Sequence, residues 1–450
     1  MRAVVVALGK VGLPLAAKLT LSGHEVVGCD IDAVVVDAVN SGTAPFPGEA
    51  GLDDALRAAI ADGVLRATTD TVAAIADHRP ELIVAVPPLY VDEGAAPDWA
   101  ILDAVTADIG RGLAAAGRSG TGELPVVAIE TTVPVGATRE RISPGIEAAS
   151  GGLAEAEGFH TAFSPERVFS GRALDDLDAY PKLVGGLTAA GEERAVALYR
   201  AFISAEVRAM GSAEAAELAK LAETTYRDIN IAFANELARY ADRIGVDVLP
   251  VIDAANSQPY SHIHRPGIAV GGHCIPVYPR FLLATDPEAR LPRVGRQVNE
   301  EMPAYAASLL GSDLIGQRVL ILGAAYRGGV KETAFSGVFP LARALRDRGA
   351  DVLVHDPLYG HDELTALGLV PWDGETPVDA AVVQADHPQY RAFSAGDLPG
   401  AGTIVDGRGV LDPARFPGVR IRRIGRPDDA AADGGSTIAP DATTLEQRPV

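Results

Sequence analysis

The sequence predicts an α/β fold in which two Rossmann-like, doubly wound parallel sheets are joined by a long central helix. Apolar runs at residues 2–8 and 317–323 each precede a loop with glycines and then a helix-like segment, which is the order of elements in a βαβ unit. Between them, residues 212–244 contain neither glycine nor proline and carry apolar residues at helical spacing. That pattern predicts the single long helix.

Length and composition limit the classes of function. The 450 residues are enough for about three domains. The formal net charge of −21 disfavours nucleic acid and anionic membranes as partners. The chain opens on a strand-like run, and no apolar run approaches the length of a membrane span. The two cysteines, Cys29 and Cys274, cannot form a disulfide framework, so we expect a reduced, cytoplasmic setting.

The first βαβ unit carries a dinucleotide-binding pattern. Ala7, Gly9 and Gly12 follow A-x-G-x-x-G, and Asp30 ends the next valine-rich strand. Gly9 would admit a pyrophosphate to the backbone, Gly12 would let helix and strand pack closely, and Asp30 would bind a ribose 2′-hydroxyl. An acid there favours NAD over NADP; the alternative is an ordinary tight strand–helix turn. The expected NAD contacts are Gly9, Lys10, Val11, Gly12, Asp30, Pro87 and Thr132.

Polar residues follow later strands of the same predicted sheet, where ligands of doubly wound folds bind. Thr132 follows the strand at residues 126–130, where it could bind substrate or water or could cap the next helix. Glu166 and Arg167 follow another strand end. Glu166 is therefore a candidate acid or base, or a salt-bridge partner of Arg167.

The stretch 267–279, GIAVGGHCIPVYP, presents Cys274 after two glycines and a histidine. A cysteine in such a loop is a candidate nucleophile, although a buried thiol acting as a small hydrophobe is the commoner fate. On the long helix, Lys220 and Thr224 are four residues apart and share one face. A lysine on a helix is usually solvated, so Lys220 carries weight only together with the cysteine.

The βαβ pattern restarts after the central region, with a longer loop that holds Arg327 and Lys331. Those positive groups suit a phosphate, whereas the plain alternative is a solvated loop. The last residues, from 427 onward, are rich in alanine, glycine, aspartate and threonine and predict a disordered tail.

Several of these stretches, in this order, resemble the nucleotide-sugar dehydrogenases that act on UDP-glucose or UDP-N-acetylmannosamine. The matching motifs are GKVGLPLA, TTVPVG, FSPER, AELAKLAETTYRDINIAFANELA, VGGHCIP, VHDP and VDGRG. The resemblance implies a domain that binds NAD at residues 1–205, a central helical domain at 206–305, a domain that binds UDP at 306–426 and a tail at 427–450. It also implies a homodimer, no metal, and a role in polysaccharide biosynthesis.

The resemblance implies oxidation of a sugar C6 hydroxyl to a carboxylate through an aldehyde, a thiohemiacetal on Cys274 and a thioester. Lys220 would stabilise the alkoxide, and Thr132 and Glu166 would position and activate water. The substrate contacts implied are Glu166, Arg167, Lys220, Thr224, His262, His264, Arg265, Gly271, Tyr278, Tyr326 and Arg327. Two alternatives stay open: a two-electron dehydrogenase that stops at the aldehyde, and a non-catalytic protein that binds a sugar nucleotide.

This chain departs from the family pattern at positions near the substrate. Thr224 stands where the family has asparagine, and Tyr278 stands where it usually has aspartate. A family arginine aligns near Tyr260, so His262, His264 and Arg265 are expected to replace it. Because the core glycines are kept, these changes indicate an altered substrate within the class.

Overall fold

A computed structural model describes residues 1–92, 96–117, 123–169 and 171–427. The predicted tail after residue 427 lies outside the described residues. The chain divides into two compact units. The first contains Met1–Tyr226 and Val277–Ala289, and the second contains Arg227–Pro276 and the chain from Arg290 onward.

The first unit is built on an eight-stranded sheet with the order β10-β9-β8-β7-β4-β1-β2-β3. All neighbours pair in parallel except β8 and β9, which are antiparallel. A two-stranded antiparallel ribbon, β5-β6, accompanies it. The strands are β1 (Arg2–Val6), β2 (Glu25–Cys29), β3 (Leu65–Thr68), β4 (Leu82–Ala85), β5 (Tyr90–Val91), β6 (Pro97–Asp98), β7 (Val126–Ile129), β8 (His160–Phe163), β9 (Lys182–Gly186) and β10 (Val207–Ala209).

Helices cover both faces of this sheet, so its central strands are buried throughout. Every residue of β4 and β7 is buried, which accounts for their continuous apolar sequence. A π-helical turn, Thr138–Ile142, follows the loop after β7. The helices are α1 (Gly12–Leu21), α2 (Ala33–Asn40), α3 (Leu52–Ala61), α4 (Thr71–His78), α5 (Ala100–Ala116), α6 (Ser143–Ala149), α7 (Ala173–Ala179), α8 (Ala189–Arg200), the first part of α9 (Ala213–Ile244) and α11 (Tyr278–Thr285).

The second unit contains a five-stranded, fully parallel sheet with the order β12-β11-β13-β14-β15. The second part of α9 packs into the apolar core of this unit through Ala234, Ala238 and Ala241. The strands are β11 (Arg318–Leu322), β12 (Asp351–His355), β13 (Ala380–Val383), β14 (Thr403–Asp406) and β15 (Arg420–Arg423). The remaining helices are α10 (Val248–Ala255), α12 (Arg290–Ser308), α13 (Val338–Arg346) and α14 (His361–Ala366), with short 3-10 turns at Pro388–Ala392, Ala395–Asp397 and Pro413–Arg415.

The predicted fold class, two parallel Rossmann-like sheets and a long helix, is confirmed. Helix α12 begins at Arg290 and continues through Pro303. The short strands β3, β9, β10 and β15 were not predicted, because few residues and flanking charges hide their pattern. Among the described residues, no helix has the length and apolar character needed to cross a bilayer.

Candidate active site

The turn after β1 has the geometry that a dinucleotide needs. A Cβ at position 12 would lie 2.0 Å from the carbonyl oxygen of Ala7, so only glycine fits there. The backbone beside Gly9 opens onto free space, with nothing within 4 Å of a Cβ position. Val11 occupies the N-cap position of α1 without a side-chain cap. Leu13 donates its N–H to the carbonyl of Gly9 at 3.1 Å and Pro14 has no N–H, so the backbone N–H of Gly12 is the helix-start donor that an anion such as a pyrophosphate could use.

Asp30 lies directly after β2, at the same edge of the sheet. Its Oδ2 accepts a hydrogen bond from the backbone N–H of Leu8 at 2.8 Å, and its Oδ1 accepts from Asp32 at 3.0 Å. These bonds fix the carboxylate beside the glycine turn. Lys10 is exposed on the turn itself. The residues present thus fit an adenine dinucleotide whose ribose is hydrogen-bonded by Asp30.

The loop after β7 presents one buried hydroxyl that makes no hydrogen bond. Thr132 is 3% exposed, and its Oγ1 has no partner within the structure. Its neighbour Thr131 donates to the carbonyl of Pro87. The helical turn that follows is capped instead by Glu217 of α9, which accepts from the N–H groups of Gly136 at 2.6 Å and Thr138 at 3.0 Å. The alternative that Thr132 caps this helix is therefore wrong, and its hydroxyl is left for a ligand or water.

Glu166 and Lys220 meet in the first unit. The Nζ of Lys220 donates to the backbone carbonyl of Glu166 at 2.5 Å and to its Oε1 at 3.0 Å. Arg167 instead binds Glu223 at 2.9 Å and the carbonyl of Pro181 at 3.1 Å. The alternative pairing of Glu166 with Arg167 is thus not formed. Since Lys220 is only 5% exposed, the alternative of a solvated lysine is also wrong.

The two positions that depart from the family pattern surround this lysine. Thr224 is buried, and its hydroxyl donates to the carbonyl of Lys220 one helical turn earlier, at 3.2 Å. Tyr278 presents its ring to the ammonium, with 5.7 Å between Nζ and the ring centre. The same ring stacks on Phe281 at 5.8 Å. An aromatic face thus stands where a second carboxylate was expected.

Cys274 and its loop lie in the second unit, where two glycines let the loop pack against Tyr326. A Cβ at Gly271 would lie 2.6 Å from the Cβ of Tyr326. Gly272 has a φ of +90° and donates its N–H to the carbonyl of Ala334 at 2.9 Å. His273 lies 3.3 Å from the carboxylate of Glu332. These close contacts explain why the sequence has glycines directly before the cysteine.

Side chains from α9 and α12 hold the ends of this loop. Asn235 accepts from the N–H of Gly267 at 2.9 Å and donates to Asn299 at 2.8 Å. Arg296 donates to the carbonyl of Ile275 at 3.4 Å and pairs with Asp228 at 3.2 Å. Asp228, Arg296 and Asn299 were missed, although polar residues on the buried face of an amphipathic helix are a detectable signal.

The remaining predicted substrate contacts of the second unit form two groups. Asn230 holds the backbone of the first group, because it donates to the carbonyl of His262 at 2.7 Å and accepts from the N–H of His264 at 2.9 Å. Arg265 is exposed and pairs with Asp253. Burial, followed by the charge of Arg227, lowers the pKa of His264.

The second group lies on the loop after β11. Arg327 is exposed and places its guanidinium 5.8 Å from the ring centre of Tyr326. Lys331, the other basic residue predicted for phosphate, pairs with Glu363 at 2.5 Å, and both side chains are 49% exposed. The positive groups of this loop therefore face solvent and remain accessible to an anionic ligand.

The two cysteines differ in environment. Cys29 is fully buried in β2, and burial raises its thiol pKa to about 12. Cys274 is partly exposed on its loop. Because the thiolate is the nucleophile, Cys29 is chemically silent and Cys274 is the accessible thiol. Among the described residues, no cluster of three or more histidine, cysteine or acidic side chains could hold a metal ion.

A parallel sheet with an open glycine turn and an acid at the end of the second strand defines the class, a dinucleotide-binding protein. The chain belongs to the UDP-glucose/GDP-mannose dehydrogenase family. Residues 1–203 match its NAD binding domain, residues 214–301 its central domain and residues 320–413 its UDP binding domain. It is thus an NAD-dependent nucleotide-sugar dehydrogenase, and the predicted family and cofactor are confirmed.

Relatives match along nearly the whole chain. A UDP-N-acetyl-D-mannosamine dehydrogenase of Pyrococcus horikoshii is 34% identical over 95% of this chain and 100% of its own length. An NDP-N-acetyl-D-galactosaminuronic acid dehydrogenase of Ralstonia nicotianae is 32% identical over 92% and 96%. Among solved structures, a UDP-glucose dehydrogenase of Pyrobaculum islandicum superimposes with a TM-score of 0.82 at 27% identity, covering 94% of this chain and 98% of that one.

Proposed function

We propose that this protein oxidises the C6 hydroxyl of a UDP-sugar to a carboxylate. The overall change consumes one alcohol, two NAD⁺ and one water, and it yields one carboxylate, two NADH and three protons. Bound NAD supplies the hydride acceptor for both oxidations. The site residues and their roles below are part of this proposal.

The contact between Lys220 and Glu166 carries the proposal. A lysine ammonium held by a carbonyl and a carboxylate is oriented before substrate arrives, and a preorganised charge stabilises oxygen anions far better than a mobile one. Lys220 is therefore assigned to the alkoxide that forms when the hydroxyl loses its proton and that collapses to a carbonyl as hydride leaves carbon. Glu166, through its carboxylate, and Thr132, through its unbonded hydroxyl, are assigned to positioning and deprotonating water.

Cys274 is assigned to the second oxidation. An aldehyde has no alkoxide to drive hydride loss. The thiolate of Cys274 therefore adds to the carbonyl carbon and forms a tetrahedral thiohemiacetal. Loss of hydride from that carbon leaves a thioester on the sulfur. Water then adds, the carbon–sulfur bond breaks, and the thiolate is regenerated as the carboxylate departs. Glu166 takes the proton of that water.

The substrate proposed is a UDP-N-acetylhexosamine, with UDP-glucose as the second candidate. The first is favoured because the similar proteins from Pyrococcus and Ralstonia are named for N-acetylated sugars. Tyr326, Arg327 and the segment around His262, His264 and Arg265 are proposed to contact the nucleotide and sugar. We assign NAD to residues 1–205, the central helical domain to 206–305 and UDP to 306–426.

A homodimer through α9 is part of the proposal. Tyr226, Phe233 and Tyr240 are 55%, 51% and 52% exposed, and they recur every seven residues along the helix. Side chains at that spacing share one face, as in helices that pair with a second copy. We expect the Phe233→Glu/Tyr240→Glu variant to halve the mass measured by light scattering. We further propose that the enzyme acts in the cytoplasm and that its product is used in polysaccharide synthesis.

The experiment that tests the function is turnover with a panel of UDP-hexoses, counting NADH per sugar. Two NADH per sugar, lost in Cys274→Ala and Cys274→Ser, supports the complete scheme. One NADH per sugar, with an aldehyde trapped by hydroxylamine, selects the two-electron alternative. If no nucleotide sugar yields NADH, the proposal is refuted.

A further inference from the structure

A second buried lysine lies behind the loop that carries Glu166. Lys182 is 6% exposed, and its Nζ lies 2.7 Å from Oε2 of Glu130. The same nitrogen is 3.3 Å from the backbone carbonyls of Ser164 and of Pro165.

Tyr199 completes a buried triad with Glu130 and Lys182. Its hydroxyl donates to Oε1 of Glu130 at 2.6 Å, and its ring centre lies 5.1 Å from Nζ of Lys182. Glu130 is 1% exposed and Tyr199 is fully buried. Both oxygens of the Glu130 carboxylate therefore have partners inside the protein. The ammonium of Lys182 contacts that carboxylate and two backbone carbonyls.

Three successive carbonyls of the loop are thus held by two ammonium groups. Lys182 binds those of Ser164 and Pro165, and Lys220 binds that of Glu166. Glu130 directly follows β7 and Lys182 begins β9, and these two strands lie on either side of β8. Ser164, which follows β8, also donates its hydroxyl to the carbonyl of Leu183 at 2.8 Å. The loop is therefore anchored from both neighbouring strands before it reaches Glu166.

We propose that the triad Glu130–Lys182–Tyr199 is a positioning device for the active site. Lys182 fixes the backbone at residues 164–165, so that Glu166 presents both its carbonyl and its carboxylate to Lys220. The inference rests on the proposed function for the roles of Glu166 and Lys220. The triad touches neither substrate nor cofactor in this scheme and acts only through the loop.

The test replaces all three polar side chains with apolar ones of similar size, in Glu130→Met/Lys182→Met/Tyr199→Phe. Lys182→Met alone would leave a buried carboxylate without its charge partner and would unfold the protein for that reason. The triple variant removes both charges together, so its melting temperature is expected to stay near that of the unsubstituted protein. The control is Arg194→Met. Arg194 lies on the same helix as Tyr199, and the substitution breaks its ion pair with Glu123.

We expect the triple variant to lose about 10- to 100-fold in kcat, with KM for NAD within about twofold, because misplaced catalytic groups slow chemistry more than cofactor binding. Hydrogen exchange of residues 164–169 should also become faster. In Arg194→Met neither should change. A folded triple variant with unchanged kcat and unchanged exchange overturns the inference. Tyr199→Phe alone, which removes one hydroxyl, should lower kcat by about threefold, and full activity there contradicts the triad's role.

The exchange measurement separates this inference from the function itself. If the unsubstituted protein oxidises no nucleotide sugar, the proposed function fails, yet faster exchange at residues 164–169 still supports the positioning role. Suppose instead that the unsubstituted protein is active and that the triple variant has the same kcat and the same hydrogen exchange at residues 164–169. In that case only the positioning role fails.

Discussion

The ammonium of Lys220 lies 5.7 Å from the ring centre of Tyr278, at the face of the aromatic ring. A cation over such a face is stabilised by about 0.5–2 kcal/mol. The ring therefore helps to hold the ammonium in place, and it stands at a position where the family usually has a carboxylate.

Replacing this ring tests that contact. Tyr278→Leu should lower kcat about 3- to 30-fold, because it removes the aromatic face while keeping an apolar side chain. Tyr278→Phe is the matched control and should stay within about threefold of the unsubstituted enzyme, since the ring remains. Steady-state kinetics on both variants give the answer, and equal activity of the leucine and phenylalanine variants would show that the ring is dispensable.

The unbonded hydroxyl of Thr132 permits a second test. Thr132→Val removes a buried oxygen that has no partner, so the melting temperature should stay the same or rise. Its activity should nevertheless fall by at least about 10-fold if the hydroxyl serves the reaction. Thr131→Val is the control, because it breaks the bond to the carbonyl of Pro87 and should lower the melting temperature. Full activity in Thr132→Val would remove this residue from the site.

Strain at the first turn predicts a stabilising substitution. Ala7 has a φ of +75°, a conformation that costs a non-glycine residue about 1–2 kcal/mol. Ala7→Gly relieves this strain but adds entropy to the unfolded chain, so a net gain of about 0.5–1 kcal/mol is expected. Calorimetry should show a rise of about one to two degrees in the melting temperature. Ala3→Gly, in the adjoining strand where φ is ordinary, should lower it, and a fall in both variants would argue against strain at Ala7.

Stability should depend on pH through Glu155. Burial raises the pKa of this carboxyl to about 7, so the folded protein holds a proton that the unfolded chain releases at lower pH. The contribution of this proton to the free energy of unfolding is fully present below the unfolded pKa of about 4.5, and it is lost as pH rises through the folded pKa of about 7.

Glu155→Gln removes this titration. The melting temperature of the variant, relative to that of the unsubstituted protein, should increase between pH 6 and pH 8. His160, 3.6 Å away, should stay neutral over this range because burial, followed by the charge of Arg194, lowers its pKa. Glu157→Gln, at an exposed neighbouring position, should show no such trend. A constant difference between Glu155→Gln and the unsubstituted protein would place the titrating group elsewhere.

The elements that could be predicted from sequence are those whose signal is local and repeated. The strand before Gly9, the glycine at position 12 and the helix of residues 213–244 each follow from residues close together in the chain. Short strands such as Val207–Ala209 escaped because a three-residue element has too little periodicity to detect. Their positions are set by pairing with a neighbouring strand.

The features of the site also divide into those that local sequence predicts and those that it does not. Candidates for its chemical groups could be named in advance, because the lysine and the cysteine stand within motifs of recognisable residue type and spacing. The hydrogen-bond and ion-pair partners of these groups could not be predicted. Glu166 was expected to pair with its neighbour Arg167 or to act alone, and it pairs instead with Lys220, 54 residues away. Thr132 was equally consistent with capping a helix, a task that Glu217 performs.

By itself, the sequence determined the fold class and the cofactor and supplied the candidates for the reactive side chains, since each depends on the type and spacing of nearby residues. Only the tertiary structure decided which carboxylate faces which ammonium. The pairs Glu166–Lys220 and Glu130–Lys182 join residues that are distant in the chain and adjacent in space. Burial makes such pairings selective, because a charge removed from water must find a partner within reach, and the packing of strands, loops and helices determines what is within reach.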